Sequence, residues 1–134
     1  MLIKQRREVV MANFIYDKKA GTLTGHGENW NVRSGIPGKF DPISNGTYTI
    51  PKGSLMTDKA GTGVPHNKKY SHRAYRDGKG FHWFLWLGKG NLGIHPDGNV
   101  PGTKGCIGIT NSDTKSLFYK FKQLNGSSLT LQVK

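Results

Sequence analysis

A lone cysteine and a histidine eleven positions before it are the residues whose types could do covalent chemistry. They lie in the stretch 93–110, GIHPDGNVPGTKGCIGIT, with His95 near its start and Cys106 near its end. A thiolate is a strong nucleophile, and a nearby imidazole can take the thiol proton, so the pair could attack a carbonyl and form an acyl intermediate. The tetrahedral oxyanion would need donors, for which the backbone N–H groups of Gly105 and Cys106 are candidates.

The residues alone leave two interpretations of this cysteine open. A single cysteine most often packs as a small apolar side chain. The local context favours reactivity, because three glycines and two prolines separate His95 from Cys106, and Gly105 and Gly108 bracket the cysteine. Glycine permits sharp turns and close approach of a substrate. Nucleophile and packing residue are therefore equal alternatives. A metal site is disfavoured, since no second cysteine or histidine has ligand spacing, and we expect no cofactor.

Length and composition predict one small domain. The 134 residues include 19 glycines, a content typical of many turns and short strands around a single core. We expect residues 1–10 to be a flexible leader and residues 11–134 to be the folded catalytic domain. The leader lacks the apolar segment and cleavage site of a secretory signal. No apolar run approaches the roughly 20 residues of a membrane-spanning helix.

The chain is strongly basic, with a net charge of +12. Such a surplus favours an anionic partner, which could be nucleic acid, acidic lipid or an anionic cell-wall polymer. The basic residues form only small groups, with no Arg-rich helix and no zinc-finger spacing. A solvated cationic surface explains the charge equally well, and we expect no nucleic-acid partner.

Hydrophobic periodicity predicts a mainly β chain. Alternating or β-branched segments predict strands at 13–16, 22–25, 30–34, 47–50, 70–75, 81–87 and 128–133. The dipeptide Asp77-Gly78 predicts a hairpin turn between two of them. The polar, glycine-rich segment 52–69 has no periodicity and predicts a surface connection or a flap over a site.

One helix is predicted over residues 111–124, where apolar side chains recur with helical spacing. Asn111 or Ser112 is expected to cap its start, and Asn125-Gly126 to end it. In the preceding strand 81–87, His82 and Trp86 share one face with Phe84. We expect His82 to be a packed or rim residue, with an aromatic groove wall as a lesser alternative for Trp86.

The stretch that carries His95 and Cys106 resembles the signature of YkuD-type L,D-transpeptidases. That family pairs a histidine on a strand with a later [Ser/Thr]-x-Gly-Cys-[Ile/Val] segment, which residues 103–107, TKGCI, match. Residues 42–50, PISNGTYTI, are similar to an upstream Pro-x-Gly-x-[Phe/Tyr]-x-Ile element. The resemblance extends roughly from Phe14 to the C-terminus.

The resemblance implies a β-sandwich-like fold with one helix packed on it, and a substrate, the tetrapeptide stem of peptidoglycan. It implies that Cys106 attacks the carbonyl of the diamino acid while His95 acts as base and then as proton donor to D-alanine. The other site residues we expect are oxyanion or supporting groups at Gly105, Thr103 and Lys104, and substrate contacts at His82, Trp86 and Asp97.

Three features depart from the family pattern. Lys104 stands where many members have a second histidine, Gly108 stands where an arginine often follows, and the His-to-Cys spacing is short. The small size, the short spacing and the lack of a recognisable signal together resemble the transpeptidase-type toxins delivered between bacteria by type VI secretion. That resemblance implies action in the periplasm or cell wall after export without a recognisable signal, a monomer, and a possible immunity protein. The alternative is a non-catalytic cationic module that binds the cell wall.

Overall fold

The computed structural model describes residues 12–65, 75–97 and 103–134, and within these ranges it has nine β-strands and one α-helix. The elements are β1 (Phe14–Asp17), β2 (Thr22–Gly25), β3 (Glu28–Ser34), β4 (Gly46–Ile50), β5 (Leu55–Met56), β6 (Phe84–Trp86), β7 (Gly93–Pro96), β8 (Ile107–Ile109), α1 (Lys115–Leu124) and β9 (Leu129–Val133). The predicted mainly β fold with one helix is confirmed. Five predicted strands, now β1 to β4 and β9, agree with the structure to within two residues.

The strands form one sheet in the order β4-β9-β1-β2-β3-β8-β7-β6-β5. β3 joins the two halves, because residues 28–31 pair with β2 and residues 32–34 pair with β8. The pairs β1–β9 and β7–β8 are parallel, and the other pairs are antiparallel. A strand that changes partner midway lets a sheet turn, so that both halves can cover a common core.

The helix packs against aromatic side chains from both halves of the sheet. The Phe121 ring lies 4.9 Å from the Phe14 ring of β1 and 5.8 Å from the Trp83 ring just before β6. Phe118 also contacts Trp83, with ring centroids 6.0 Å apart. These four side chains are almost fully buried, and burying each contributes about 1.5–3 kcal/mol. The predicted apolar stripe therefore faces the core.

The helix begins later than predicted. It starts at Lys115 with Thr114 as its N-cap, so the expected start at residue 111 is wrong. The carboxylate of Asp77 accepts hydrogen bonds from the Thr114 N–H at 3.0 Å and from its hydroxyl at 2.8 Å. A distant acidic side chain therefore anchors the N-terminus of the helix. The C-cap is Asn125, as predicted.

Two other regions differ from expectation. Strand β6 is shorter than the predicted segment 81–87, and β5 lies inside 52–69, where no regular structure was expected. Up to Pro65 that segment forms a closed loop, in which the Thr57 N–H donates to the Pro65 carbonyl oxygen at 2.9 Å. Residues 66–69, most of the predicted strand 70–75 and the leader 1–10 lie outside the described residues. No helix in the described part is long and apolar enough to cross a membrane.

Candidate active site

The register of the sheet brings the predicted catalytic pair to one face of two neighbouring strands. His95 of β7 pairs with Gly108 of β8 in parallel register, and Cys106 lies two residues before Gly108. Side chains alternate along strands, so extending β8 back by one residue would place Cys106 on the face of His95, in the adjacent row. Their Cα atoms are thus expected roughly 8 Å apart, from a strand spacing of about 4.8 Å and a two-residue offset of about 6.6 Å.

His95 is buried and its tautomer is determined by one backbone contact. Its side chain lies 5.9 Å from the stacked Phe84 ring and 4.6 Å from the Tyr75 ring, and the residue is 3% exposed. Nδ1 lies 2.7 Å from the carbonyl oxygen of Pro96. Because a carbonyl can only accept, Nδ1 carries the proton, and the Nε2 lone pair is left to act as a base.

Burial favours the uncharged forms of both groups of the pair. Desolvation lowers the pKa of His95 to about 4, although its hydrogen bond to Pro96 acts in the opposite direction. Desolvation raises the pKa of the Cys106 thiol, and a hydrogen bond from the Gly93 N–H partly offsets this rise. Burial thus favours a neutral thiol and a neutral imidazole over a thiolate–imidazolium pair.

Cys106 lies just before β8 and is partly exposed. Its thiol donates to the carbonyl oxygen of Asn91, with Sγ 3.6 Å from that oxygen. Gly93, whose N–H donates to the sulfur, has no room for a side chain, because a Cβ there would overlap the Phe84 ring. The cysteine is thus neither a core packing residue nor freely solvated, and proton transfer to His95 requires the S–H to turn away from Asn91.

Thr103 supports the turn that presents the cysteine. Its hydroxyl donates to the Cys106 carbonyl oxygen at 2.6 Å and accepts from the Gly35 N–H at 2.9 Å. Gly105 has φ +111°, which favours glycine, and its carbonyl oxygen accepts from the Ser34 hydroxyl at 3.1 Å. The supporting role predicted for Thr103 and Gly105 therefore has a clear geometry.

The predicted oxyanion donors differ in how they are engaged. The Gly105 N–H points to the Thr103 hydroxyl over a long 3.4 Å bond, so it would have to leave that bond to reach an oxyanion. The Cys106 N–H stays a predicted donor. Lys104 is exposed, and its Nζ lies 5.5 Å from the centre of the Phe40 ring. That cation–π contact gives Lys104 a partner on the surface of the loop.

Asp97 lies deep in the site and contacts an arginine that the sequence analysis did not consider. It is 1% exposed, and its Oδ2 accepts from Nε of Arg33 at 3.2 Å. Asp97 also fills the space above Gly108, where a Cβ would lie 2.6 Å from that carboxylate oxygen. Burial gives Asp97 little surface to offer a substrate directly, so the predicted substrate contact stays a prediction.

His82 lies in a second polar cluster, between the carboxylate of Asp58 and the guanidinium of Arg76. Its Nε2 accepts from Nε of Arg76 at 2.8 Å, and its Nδ1 lies 3.3 Å from the Asp58 carboxylate. Desolvation lowers the pKa of His82, Arg76 acts in the same direction, and Asp58 opposes them. The 8% exposure of His82 agrees with the packed or rim residue expected from the sequence, and its predicted substrate contact stays a prediction. Trp86 is half-buried, and its indole N–H donates to the Gly90 carbonyl oxygen at 2.9 Å.

The residues that sequence reasoning missed are Phe84 and Tyr75, which enclose the imidazole, and Arg33. Only the alternation within β3, where Arg33 follows the buried Val32, indicated that Arg33 faces away from the core. Among the described residues, no group of three or more His, Cys, Asp or Glu side chains is placed to hold a metal ion.

The fold is similar to that of a solved structure, L,D-transpeptidase 1 of Mycobacterium tuberculosis. The two superpose with a TM-score of 0.51 at 14% sequence identity, over 90% of this chain and 60% of that one. This chain thus has an L,D-transpeptidase-like fold and spans about three-fifths of the length of that protein. No protein-family model matches the sequence, and no curated protein is significantly similar to it.

Proposed function

We propose that this protein is a peptidoglycan-modifying cysteine enzyme that acts on the tetrapeptide stem as an L,D-carboxypeptidase or L,D-transpeptidase. One observation carries the proposal: a partly exposed thiol lies just before β8, and a buried imidazole with a defined tautomer lies on the neighbouring strand β7. The similarity in fold to an L,D-transpeptidase supports the choice of substrate. The net charge of +12 suits an anionic polymer such as the cell wall.

In the proposed first step, the Cys106 sulfur attacks the carbonyl carbon between the diamino acid and the terminal D-alanine. Nε2 of His95 takes the thiol proton as the C–S bond forms, because both groups are neutral at rest. The Cys106 N–H is the proposed donor to the oxyanion. Collapse of the tetrahedral intermediate breaks the C–N bond, and the imidazolium returns the proton to the leaving amine.

In the proposed second step, an acceptor resolves the thioester. Water attacking the acyl carbon would release the tripeptide as a carboxylic acid, which is L,D-carboxypeptidase activity. An amine would form a new amide, which is transpeptidation or amino-acid exchange. In both cases His95 takes a proton from the acceptor and delivers it to the departing thiolate.

The proposal is tested by incubating the purified protein with disaccharide-tetrapeptide and analysing the products by mass spectrometry. We expect loss or exchange of the terminal D-alanine and a transient acyl adduct in the intact protein mass. Cys106→Ala should abolish both signals, and His95→Gln should reduce turnover severely. No change in the substrate would contradict the enzyme proposal, and retained activity in Cys106→Ala would contradict the nucleophile. Wall binding without either signal would favour the non-catalytic wall-binding module.

We further propose that the protein is an antibacterial effector, delivered by a secretion system into the periplasm of a target cell, where it acts as a monomer. Its short His-to-Cys spacing resembles that of transpeptidase-type toxins and supports this role. Expression in a Gram-negative host with a fused export signal should stop growth, whereas the same protein kept in the cytoplasm, or exported Cys106→Ala, should not. Equal toxicity in all three cases would contradict the effector role.

An immunity protein is the proposed partner. An acidic surface would complement the basic charge of this chain and cover the cleft at Cys106. Co-expression of the neighbouring genes with the exported protein should restore growth through one of their products, and this product should slow alkylation of Cys106 in the purified complex. Failure of every neighbouring product to protect would count against such a partner.

A further inference from the structure

Arg33 lies in the row of the sheet that contains the catalytic imidazole. Arg33 of β3 pairs with Gly108 of β8, and on its other side Gly108 pairs with His95 of β7. Gly108 has no side chain, and Asp97 fills the space above it. Because Arg33 Nε donates to the Asp97 carboxylate at 3.2 Å, the guanidinium is held over Gly108 on the face that carries Cys106.

The two partners of this ion pair differ in exposure. The Arg33 side chain is 44% exposed, whereas the Asp97 side chain is 0% exposed. Of the five guanidinium N–H groups, only the one at Nε is bonded to another residue in the described part of the chain. The Nη groups are thus available in a planar fork, which matches a carboxylate in two parallel hydrogen bonds. Asp97 fixes the cation, and the other edge can bind an anion.

We infer that Arg33 binds the C-terminal carboxylate of the stem peptide and that Asp97 is its positioning residue. This inference rests on the proposed function. It identifies a specificity-determining contact: the enzyme recognises the free terminal carboxylate of the D-amino acid that it releases.

Distances favour the terminal carboxylate over one on the side chain of the diamino acid. Two residues along β8 separate Cys106 from Gly108, which is about 6.6 Å. At attack, the sulfur lies about 3–3.5 Å from the scissile carbonyl carbon. The terminal carboxylate follows one residue later, within about 3.8 Å of that carbon. The distance from the sulfur to the terminal carboxylate, summed over these two steps, matches the separation between the row of Cys106 and the row of Gly108 and Arg33. The side-chain carboxylate of the diamino acid is several carbons farther from the scissile carbonyl.

The inference is tested with three stem tetrapeptides: one with all carboxylates free, one amidated at the terminal D-alanine, and one amidated at the diamino-acid side chain. The wild type should prefer the free terminus over its amide by about 10- to 100-fold in kcat/KM, the value of a hydrogen bond to a charged group. Arg33→Gln should remove this preference by slowing the free acid and leaving the terminal amide unchanged. Arg33→Lys should restore only part of it, since a lysine lacks the fork.

Two further variants complete the set. Asp97→Asn should raise KM for the free acid more than it lowers kcat, because it loosens the guanidinium without removing it. Lys19→Gln, an exposed residue of the β1–β2 turn that loses the same charge, should behave as wild type. Equal losses on all three peptides in Arg33→Gln would indicate a merely structural role and overturn the inference. A loss in Arg33→Gln on the fully free peptide and on the terminal amide, but not on the peptide amidated at the side chain, would overturn the assignment of the terminal carboxylate.

A binding measurement separates failure of this inference from failure of the proposed function. An acyl-D-alanine and its amide are titrated against Cys106→Ala and against the double variant with Arg33→Gln, by calorimetry or NMR. Tighter binding of the acid to the single variant alone supports the carboxylate site even where the wild type shows no turnover. Equal binding of acid and amide to both proteins overturns the inference.

Discussion

The Nδ1 atom of His95 donates to the carbonyl oxygen of Pro96, the next residue in the chain, over 2.7 Å. The orienting acceptor is therefore backbone rather than an acidic side chain. A neutral acceptor adds no charge to help an imidazolium form, and burial between Phe84 and Tyr75 opposes it further. The imidazole is thus oriented by one hydrogen bond and stays uncharged over a wide pH range.

The free energy of unfolding should decrease as the pH is lowered, because of His95. Its pKa is about 4 in the folded protein and about 6.5 when unfolded. Above the unfolded value both states are neutral. As pH falls below it, the unfolded state binds a proton first, so the free energy of unfolding should fall by about 2–3 kcal/mol between pH 7 and pH 4.5. Urea unfolding of wild type and His95→Gln at both pH values measures this decrease. The free energy of unfolding of the variant should decrease less between the two pH values than that of wild type.

The comparison between these two proteins isolates His95, because other titrating groups, including His82 with its lowered pKa, are present in both. Equal losses of stability in wild type and His95→Gln would contradict a buried neutral imidazole.

Cys106 should react slowly with alkylating agents at neutral pH. Burial raises the pKa of its thiol, and only the thiolate is nucleophilic. The rate of carboxamidomethylation should therefore rise with pH through and beyond the range of a free cysteine, which has a pKa of about 8.5. Intact mass spectrometry over a series of pH values, with a free-cysteine peptide as reference, gives the profile. A plateau of fast labelling near pH 6 would instead indicate a thiolate–imidazolium pair.

Thr103→Val should destabilise the loop that presents the cysteine. The substitution keeps the volume but removes the hydroxyl that bonds the Cys106 carbonyl and the Gly35 N–H. Leaving such buried groups unpaired costs about 1–3 kcal/mol. We expect lower stability in urea and a marked loss of D-alanine release. Thr103→Ser, which retains the hydroxyl, should keep most of both, and equal behaviour of the two variants would contradict the supporting role.

The candidate pair could be identified in the sequence because both residues lie in one short stretch with a recognisable pattern. His95, Cys106 and their glycine-rich connection are local information. The terminal strands and the helix were predicted for a similar reason, since each carries its own periodicity. The start of the helix was not, because the carboxylate that holds Thr114 belongs to Asp77, 37 positions earlier.

The residues around His95 and Cys106 could not be predicted, because the register of five strands brings them together. Met56, Phe84, His95, Gly108 and Arg33 form one row across β5, β6, β7, β8 and β3. A shift of one residue in any strand would turn its side chain to the opposite face. No local pattern determines that register.

Gly93→Ala should disturb the packing of Phe84 on the His95 imidazole. A methyl group at position 93 would overlap the Phe84 ring, which stacks on His95. Phe84 must therefore move, at a cost of about 1–3 kcal/mol in stability, and the imidazole loses part of its apolar cover. We expect lower stability in urea, slower D-alanine release and a smaller loss of stability at low pH than in wild type. Gly126→Ala, which has open space after α1, is the matched control. Stability and activity equal to this control would contradict the proposed contact between Gly93 and Phe84.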